Sequence, residues 1–418
     1  MARCLPVVMP KNIVEGKVSV EDIARISEAN VVRLAQHKLQ EGDVVYGRRG
    51  DIGRRALVTK REAGWLCGTG CLRISLGKHR LDPYFLYYFL GQPEVVAWIA
   101  NQAIGATLPN LNTSIIRSIR VTYPPLPTQR KITAILSAYD DLIENNTRRI
   151  AILEDMAQSL YREWFVHFRF PGHEKNIMVE SPLGMIPEEW EVVKVSSAVF
   201  IDPSTRLSKE GEKPFVPMGS LLNGSMLIEN IESRAGNSGS KFKNRDTLFA
   251  RITPCIENGK TGYVQFLPSN EDVAFGSTEF IVLRSRTLCP EYVYLMARSD
   301  EFRDNAIKSM SGASGRQRVQ VACFDKFLIA QPDSETLTKF SALATPLFHS
   351  VYTLAQKNAT LRRTRDLLLP KLISGELDVE GLDIEIGGDA GDANGVEPMP
   401  MDEAQEVVEE MRQDAFTW

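Results

Sequence analysis

The 418-residue sequence lacks several features that mark common protein classes. No apolar run approaches 18 residues, so no membrane-spanning helix is predicted, and no secretory leader pattern opens the chain. The six cysteines, at positions 4, 67, 71, 255, 289 and 323, form no CxxC pair, and the five histidines have no zinc-binding spacing. We therefore expect reduced thiols, no bound metal and a cytoplasmic location.

Signatures of common enzyme sites are also missing. The triplet Gly259-Lys260-Thr261 resembles the end of a phosphate-binding loop, but Pro254 occupies the position that such a loop reserves for glycine. Glu15-Gly16-Lys17 has the form of half a nuclease motif, yet no aspartate precedes it. No Asn-Pro-Pro-Tyr-type motif occurs, and no glycine-rich cofactor fingerprint follows a predicted strand. We predict a non-catalytic chain with no cofactor of its own.

The net charge of −4 hides an uneven distribution of charge. Residues 376–418 hold 14 acidic residues and one basic residue, whereas residues 1–375 hold 39 and 48 and carry a net charge of +9. The net charge is +7 over residues 1–125 but −1 over residues 176–330. A basic body suits a polyanionic partner, and an acidic tail is usually solvated and mobile. Ordinary surface charge is the alternative interpretation.

Two stretches repeat apolar residues in alternating steps of four and three, which is the pattern of a heptad seam. The first predicts a helix over residues 128–167, with Thr128 as its N-cap and Pro171-Gly172 as its stop. The second predicts a helix entered through Asp333 and Ser334 and ended by Gly375, bent or broken near Pro346 and Pro370. The residues assigned to the seam are Ile132, Leu136, Tyr139, Ile143, Asn146, Ile150, Leu153, Leu160, Trp164, Leu347, Leu354, Leu361, Leu368 and Leu372.

A helix about 50 Å long cannot bury its apolar stripe against itself, so we predict that the two long helices pair. Asn146 interrupts the first stretch, and Asn358 and Arg365 interrupt the second. A single amide in such a seam often fixes the register of the helices at some cost in stability. The alternative is that each helix packs on a separate globular core.

The sequence contains an internal repeat with an offset of 203 to 208 residues. The matched positions are Asp43 with Asp246, Tyr46 with Phe249, Arg48 with Arg251, Gly68-Thr69 with Gly276-Ser277 and Gly105-Ala106-Thr107 with Gly312-Ala313-Ser314. We predict two mixed modules, each a twisted and largely antiparallel sheet with helices on one side. Strands are expected over residues 43–46 and 246–249, and single helices over 83–100 and 290–309. Residues 181–213 have no counterpart before Leu5, so either the start is internal to a longer gene or the first module lacks an edge segment.

With this repeat, the sequence resembles the specificity subunits of type I restriction-modification systems. The resemblance covers about residues 5–380 and rests on four phrases, which span residues 181–190, 124–132, 256–261 and 367–376. It implies an α+β chain. Its parts would be target-recognition domains over residues 1–125 (short at its N-terminus) and 176–330, long spacer helices over 126–170 and 333–375, and an acidic, mobile tail over 376–418.

The resemblance also implies the function. The chain would be a non-catalytic subunit that reads a bipartite sequence of double-stranded DNA, one half with each domain. An antiparallel helix pair would set the spacing between the halves and dock two methylation subunits, with restriction subunits added outside. S-adenosylmethionine, ATP and magnesium would then be ligands of those partners. The alternatives are a coiled-coil adaptor that binds protein and ignores DNA, and a solitary nuclease or methyltransferase.

Residues that differ between the matched loops are the better candidates for DNA reading, because the two copies should read different sequences. The first set of candidates is Arg48, Arg49, Arg54 and Arg55 in copy one, with Arg251, Asn258 and Lys260 in copy two. The second set is Asn110 and Asn112 in copy one, with Arg316, Gln317 and Arg318 in copy two. Amide side chains suit adenine and arginine suits guanine, whereas Lys241 and Lys243 would contact phosphates. For each residue, a solvated surface position is the alternative.

Overall fold

The computed structural model describes residues 4–76, 80–103, 110–313 and 315–384. Contacts divide these residues into two compact units, the first comprising 4–143 with 360–384 and the second comprising 144–359. Each unit mixes helices and strands, so the predicted α+β class is confirmed. The matched residues Gly105-Ala106-Thr107 and Ser314 lie outside the described residues, as does most of the acidic tail.

The strands of the first unit form small separate sheets. They are β1 (Cys4–Val8), β2 (Ile13–Val14), β3 (Lys17–Val18), β4 (Ala24–Ser27), β5 (Val44–Gly47), β6 (Arg55–Leu57), β7 (Leu66–Cys67) and β8 (Cys71–Ile74). β1 pairs antiparallel with β4 and parallel with β7, while β5 lies between β6 and β8 in an antiparallel sheet. β2 pairs with β3. The single sheet that we predicted is therefore wrong for the described residues, because the chain leaves each sheet after a short strand.

The helices of the first unit are shorter than predicted. They are α1 (Glu28–Arg33), α2 (Pro83–Phe89), α3 (Pro93–Gln102) and α4 (Thr113–Arg117). The single helix predicted over 83–100 is wrong, because Gly91-Gln92 separates α2 from α3. Asp82 caps α2 by accepting a hydrogen bond from the Phe85 amide at 3.1 Å. Pro93 occupies the first turn of α3, where its missing N–H has no intrahelical partner to lose.

The second unit has more strands than the first. They are β9 (Met178–Ser181), β10 (Gly184–Pro187), β11 (Glu191–Lys194), β12 (Val199–Ile201), β13 (Glu212–Val216), β14 (Glu232–Ala235), β15 (Ser240–Phe242), β16 (Thr247–Ala250), β17 (Thr261–Tyr263), β18 (Ala274–Gly276), β19 (Phe280–Ser285) and β20 (Leu328–Gln331). Two four-stranded sheets have the orders β12-β19-β16-β17 and β14-β13-β18-β15. β9 pairs with β10, and β11 pairs with β20.

The two units share one strand topology. β13 pairs antiparallel with β14 and parallel with β18, as β1 does with β4 and β7. β16 lies between β17 and β19, as β5 lies between β6 and β8. The matched strands begin 203 to 209 residues apart, close to the offset found in the sequence. The first unit has no described strand that corresponds to β9, β10, β11, β12, β15 or β20.

The helices of the second unit repeat the interruption seen in the first. They are α6 (Val195–Ala198), α7 (Pro290–Arg298) and α8 (Asp300–Lys308). The single helix predicted over 290–309 is wrong, because Ser299 has extended backbone angles. Its side chain caps α8 by accepting a hydrogen bond from the Phe302 amide at 3.3 Å. Phe302 and Tyr292 are buried in one core with Phe249 of β16.

Two long helices, α5 (Leu126–Tyr161) and α9 (Ser334–Ser374), each contribute residues to both units. α5 begins two residues before the predicted N-cap. Thr128 therefore lies inside the first turn, where its Oγ1 donates to Glu380 Oε1 at 3.3 Å. A π-helical turn over Arg162–Val166 follows α5 and ends one residue before the predicted end. The assignment of Thr128 as a cap is thus wrong, while the extent of the helix is close to that predicted.

The ends of α9 follow the prediction, but its predicted interruptions are wrong. Asp333 caps the helix, since its Oδ1 accepts the amides of Glu335 and Thr336 at 2.9 Å, and Gly375 ends it with a φ of +79°. The helix continues through Pro346 and Pro370. Both prolines are exposed, so the carbonyl group that loses its donor in each case is on the solvated side of the helix.

In the first unit, the beginning of α5 packs against the end of α9. Leu136 of α5 shares a core with Leu369 and Leu372 of α9. Four residues further along α5, Asp140 accepts a hydrogen bond from Arg365. Residue numbers rise on α5 as they fall on α9, so the two segments run antiparallel within this unit.

In the second unit, the remainder of α5 packs against the beginning of α9. The rings of Trp164 and Phe340 lie 5.8 Å apart between centroids. At the other end of this segment, Asn146 Nδ2 donates to Asn358 Oδ1 at 2.9 Å, and Asn358 Nδ2 donates to Thr147 Oγ1 at 3.1 Å. The segments again run antiparallel. Asn358 is only 3% exposed, so the two asparagines form a satisfied polar layer inside an apolar contact.

Every seam residue predicted from the heptads is buried or half-buried. Ile132, Leu136, Trp164 and Leu372 are among the most deeply buried of them. In α9 the heptad pattern is less complete, because Phe340 and Phe348 are more deeply buried than the predicted Leu347 and Leu354. These aromatic rings pack into the core of the second unit rather than only against α5.

Candidate nucleic-acid interface

The aspartates shared by the two copies hold equivalent turns in front of matched strands. Asp43 Oδ2 accepts the Gln40 amide at 2.8 Å, and Asp246 Oδ2 accepts the Lys243 amide at 2.7 Å. Both carboxylates are nearly inaccessible to solvent. In the second unit, Asp246 also forms an ion pair with Arg284 at 2.7 Å, which further stabilises the turn. These shared residues are scaffold, and they fix the start of the strands that lead to the candidate loops.

In the first unit, the turn after β5 and the loop before α4 contact each other directly. Arg48 Nε donates to Asn110 Oδ1 at 3.2 Å and to the Leu111 carbonyl at 3.1 Å. The Leu111 amide donates to the Arg48 carbonyl at 2.9 Å, and Arg49 forms a β-bridge with Asn110. Two segments that lie about 60 residues apart in the sequence therefore form one continuous surface.

In the second unit, the same two segments contact each other in the same way. Arg251 Nη2 donates to the Val319 carbonyl at 3.2 Å, and the Val319 amide donates to the Arg251 carbonyl at 2.9 Å. Ile252 forms a β-bridge with Arg318, as Arg49 does with Asn110. The half-buried arginines Arg48 and Arg251 thus fasten the loop to the turn in both units, which gives them a positioning role.

We call the paired turn and loop in each unit a two-loop platform. The first platform comprises residues 48–55 and 110–112, and the second comprises residues 251–260 and 316–318. Each platform contains four basic residues and one acidic residue. The second unit therefore presents a local basic surface, although residues 176–330 have a net charge of −1. A local basic surface is what contact with a nucleic acid requires.

Three candidate side chains are free to contact a ligand. Arg49 in the first platform and Asn258 and Arg316 in the second are exposed. Within the described residues, none of the three makes a side-chain hydrogen bond or an ion pair. Contact with another molecule by these side chains would not compete with an internal interaction.

Other candidates in the first platform are engaged internally. Arg55 Nε donates to the Tyr87 carbonyl at 2.7 Å, and its guanidinium lies 4.8 Å from the centroid of the Tyr87 ring. Burial lowers the pKa of Arg55. A Cβ at Gly91 would lie 1.5 Å from Arg55 Nη2, so this guanidinium requires a glycine beside it. Asn112 Oδ1 caps α4 by accepting the Ile115 amide at 2.9 Å, and Arg54 pairs with Asp51 at 2.9 Å. These contacts favour a structural role for Arg55 and Asn112.

Arg318 is exposed but already paired. Its Nε lies 3.0 and 2.9 Å from the two carboxylate oxygens of Glu279, and its Nη2 lies 2.5 Å from Glu279 Oε1. This hydrogen-bonded pair lowers the pKa of Glu279. Glu279 was not singled out from the sequence, and its separation of 39 residues from Arg318 leaves no local signal for the pair. The backbone N–H of Gln317 donates to Thr253 Oγ1 at 3.2 Å, which adds a further link within the platform.

The candidate lysines of the second unit are also engaged. Lys243 Nζ pairs with Glu271 at 3.3 Å, and Lys260 Nζ donates to the Met218 carbonyl at 3.3 Å. Lys241, on β15, donates to the Gly239 carbonyl at 3.3 Å. Lys241 and Lys243 lie outside the second platform. A role of these two lysines in phosphate contact stays a prediction.

Two kinds of site are absent from the described part of the chain. Its histidines, cysteines and carboxylates form no group of three or more that could hold a metal ion. None of its helices combines the length and the apolar character that crossing a bilayer requires.

The chain is similar to known DNA specificity proteins. The family described as "Type I restriction modification DNA specificity domain" matches residues 6–155. The type I restriction enzyme MjaIX specificity subunit of Methanocaldococcus jannaschii is 25% identical over 371 residues, which cover 85% of this chain and 82% of the relative. The HindI specificity subunit of Haemophilus influenzae is 22% identical over 410 residues, covering 82% and 88%.

A crystal structure of a type I restriction-modification S subunit from M. genitalium has a similar fold. It aligns over 87% of this chain and 90% of that chain, with 15% sequence identity and a TM-score of 0.50. At this identity the likeness concerns the fold alone.

Proposed function

The chain belongs to the family of type I restriction-modification specificity subunits, and from this premise we propose that its two platforms contact the two halves of a bipartite double-stranded DNA target. One observation carries the proposal. Both units hold the same turn and loop together through the same backbone contacts, but the polar side chains on those loops differ. A shared frame with different side chains is what two readers of different sequences need.

The side chains of the platforms suit base edges in the major groove. Arginine can donate two hydrogen bonds to guanine, and asparagine can pair with adenine. In the second platform, Arg316 and Asn258 would read bases. In the first platform, Arg49 would do so, with Asn110 beside it. Each well-formed contact would contribute about 1–3 kcal/mol to discrimination between bases.

The paired long helices would act as the spacer between the half-sites. They would also dock two methylation subunits, with restriction subunits added to the complex. Large apolar side chains exposed on these helices support a docking role, among them Leu142 and Ile152 on α5 and Leu343 and Leu367 on α9. In this scheme the chain is non-catalytic, and S-adenosylmethionine, ATP and magnesium are bound by the partner subunits.

Mapping of methylated positions in a genome tests this proposal. The chain would be co-expressed with its methylation subunit, and a strain without the chain would be the control. We expect a split motif with a fixed unspecified gap. The variant Arg316→Ala should relax one half of the motif, and Arg49→Ala should relax the other half. A continuous motif, or relaxation of both halves by one variant, would contradict the assignment of one half-site to each platform.

Binding by the purified chain separates the proposal from a protein-binding adaptor. A DNA reader should bind its mapped duplex more tightly than a scrambled duplex at moderate salt. An adaptor would self-associate, as measured by native mass, and would not distinguish the two duplexes.

A further inference from the structure

Within the first unit, three polar side chains join a short helix to both long helices. The Tyr88 hydroxyl, on α2, donates to Asp140 Oδ2 of α5 at 2.6 Å, and Arg365 of α9 donates to Asp140 Oδ1. Tyr88 is 5% exposed, and the other two side chains are half-buried. We call Tyr88, Asp140 and Arg365 the polar junction. It connects three helices of this unit through one carboxylate.

The polar junction lies next to the first platform. Tyr87, the neighbour of Tyr88 on α2, accepts a hydrogen bond from Arg55 Nε through its carbonyl oxygen at 2.7 Å, and the Arg55 guanidinium lies over its ring. Arg55 ends the platform turn and begins β6, which pairs with β5 at the start of that turn. The turn of the first platform is therefore connected to the long helices through α2.

The long helices repeat with an offset of 208 residues, which identifies the positions equivalent to the polar junction. Trp164 and Phe340 pack against each other in the second unit. By this offset they correspond to Leu372 and Ile132, which share a core in the first unit. The offset therefore relates equivalent contacts between the two helices.

The second unit has apolar side chains at the positions of the polar junction. Phe348 and Ala157 replace the carboxylate and the guanidinium, and they are 2% and 0% exposed. Leu295 replaces the tyrosine, because α2 and α7 begin 207 residues apart. The ring of Phe348 packs on Tyr294 of α7 with centroids 5.4 Å apart. The fold therefore does not require polar groups at this contact.

A second contact with the long helices also differs between the units. Arg362 of α9 lies 3.8 Å from Glu15, measured from Nη2 to Oε2, in the turn between β2 and β3. At the equivalent position of α5, Glu154 Oε1 accepts the Met226 amide at 2.6 Å and the Ser225 hydroxyl at 2.8 Å. The helix contributes a cation in the first unit and a carboxyl group in the second. The polar contacts to the helices are thus specific to each unit.

A charged junction is a costly way to make this contact. Removing charges from water has a desolvation cost, and apolar side chains of similar volume often give equal or greater stability. Apolar packing has no preferred direction, whereas a hydrogen bond weakens steeply when its angle departs from linear. Hydrogen-bonded charges therefore favour one orientation of α2 on the long helices more strongly than apolar contact does.

We propose that Tyr88, Asp140 and Arg365 are positioning residues for recognition of the first half-site. They hold α2, and with it the first platform, at one angle on the long helices of the first unit. The platform then presents Arg49 and Asn110 in a fixed direction. This inference rests on the proposed function of the platforms. Loss of the polar junction weakens reading of the first half-site and leaves reading of the second unchanged.

An apolar variant separates positioning from stability. Tyr88→Phe/Asp140→Leu/Arg365→Leu removes all three polar groups together, so none of them is left without its partner. The urea midpoint should stay the same or rise. Affinity for the target duplex should nevertheless fall by about 5- to 150-fold, as for the loss of one well-formed base contact. Tyr88→Phe alone removes one hydrogen bond, keeps the ring and should have a smaller effect in the same direction.

Fluorescence anisotropy with duplexes altered in one half-site locates the effect. The apolar variant should lose discrimination in the half-site that Arg49→Ala relaxes and keep it in the other. The matched control is Lys371→Leu/Glu376→Leu, which removes an exposed ion pair of 3.0 Å at the end of α9 in the same unit and should not change binding. Unchanged discrimination by a folded apolar variant, or equal loss in both half-sites, would overturn the inference.

A measurement without DNA distinguishes failure of this inference from failure of the proposed function. Spin labels are placed at positions 49 and 142, which are exposed in the first unit, through a non-natural ketone amino acid that leaves the cysteines in place. Double electron–electron resonance should give a broader distance distribution for the apolar variant than for the unaltered chain and the control. Equal widths would refute the positioning role. Broadening in a chain that does not distinguish target from scrambled DNA would support that role and refute the proposed function.

Discussion

Replacing Arg316 with alanine is expected to weaken binding to the cognate duplex by about 5- to 150-fold. Arg316 is exposed, and within the described chain its guanidinium has no hydrogen-bond or ion-pair partner. Removal of the guanidinium therefore leaves no internal group without its hydrogen-bond partner, and the free energy of unfolding should not change. A bidentate contact to guanine contributes about 1–3 kcal/mol, and each 1.4 kcal/mol corresponds to about a tenfold change in affinity.

Arg318 should behave differently because it is held by Glu279. Contact with DNA requires this guanidinium to leave or share a carboxylate that it approaches at 2.5 to 3.0 Å. Arg318→Ala should therefore reduce affinity by less than Arg316→Ala. Glu279→Gln removes a negative charge and releases the guanidinium. It should strengthen binding to non-cognate DNA and steepen the salt dependence by up to about 0.9 in log–log slope for one added phosphate contact.

The assay is fluorescence anisotropy with the mapped target duplex and with duplexes altered in one half-site, between about 50 and 200 mM salt. Lys339→Ala is the matched control, because this exposed lysine of the second unit pairs with Glu335 at 2.7 Å on α9, outside the platform. If Arg316→Ala and Lys339→Ala bind the target equally well, the second platform does not contact the bases.

Three further predictions follow from the helices and one buried carboxyl group. Leu136→Ala should lower the free energy of unfolding by about 2–5 kcal/mol, because Leu136 is fully buried, whereas Leu142→Ala should change it by less than about 0.5 kcal/mol; equal effects in urea denaturation would contradict the packing described. Burial raises the pKa of Glu154 above its ordinary value of 4.5, so its contribution to stability is fully present below that pH and is lost as the pH rises through the higher folded pKa. Glu154→Gln should flatten the unfolding temperature against pH in that window, and an unchanged slope would exclude this carboxyl group as the source. Insertion of one heptad into both α5 and α9 should lengthen the unspecified gap by about three base pairs, and methylation mapping that shows the original gap would rule out the spacer role.

Periodicity and internal repetition predict much of this fold. The heptad steps locate both long helices to within two residues at each end when the π-helical turn after α5 is counted, because a stripe repeated over ten turns is hard to produce by chance. The repeat offset aligns matched strands of the two units. The same reasoning does not predict the helix interruptions at Gly91 and Ser299. The apolar periodicity continues across both positions, and each break depends on local capping contacts. The uninterrupted course of α9 through Pro346 and Pro370 depends on which side of the helix faces solvent, and the sequence alone does not give that.

The candidate site is predictable in its location but not in its internal contacts. Comparison of the matched loops leads to the turn and the loop that form each platform. It does not separate Arg49, whose side chain has no hydrogen-bond or ion-pair partner among the described residues, from Arg55, which is packed on Tyr87. Both are arginines in one short glycine-containing stretch, and only the fold around Gly91 distinguishes them. The pairing of Arg318 with Glu279 likewise depends on strands that meet across 39 residues.

The polar layer formed by Asn146 and Asn358 makes the alignment of the long helices a discrete choice. A slip of one heptad would place Asn146 opposite Val351 or Arg365, and the buried amide of Asn358 would lose its partner, at a cost of about 1–3 kcal/mol. In any intermediate alignment, the side-chain amides of both asparagines would lie opposite apolar residues. Matched insertions of seven residues in both helices would keep Asn146 opposite Asn358 and would also keep the apolar stripe of each helix in phase. A descendant of this chain that recognises a longer or shorter gap in DNA should differ by matched insertions or deletions of seven residues.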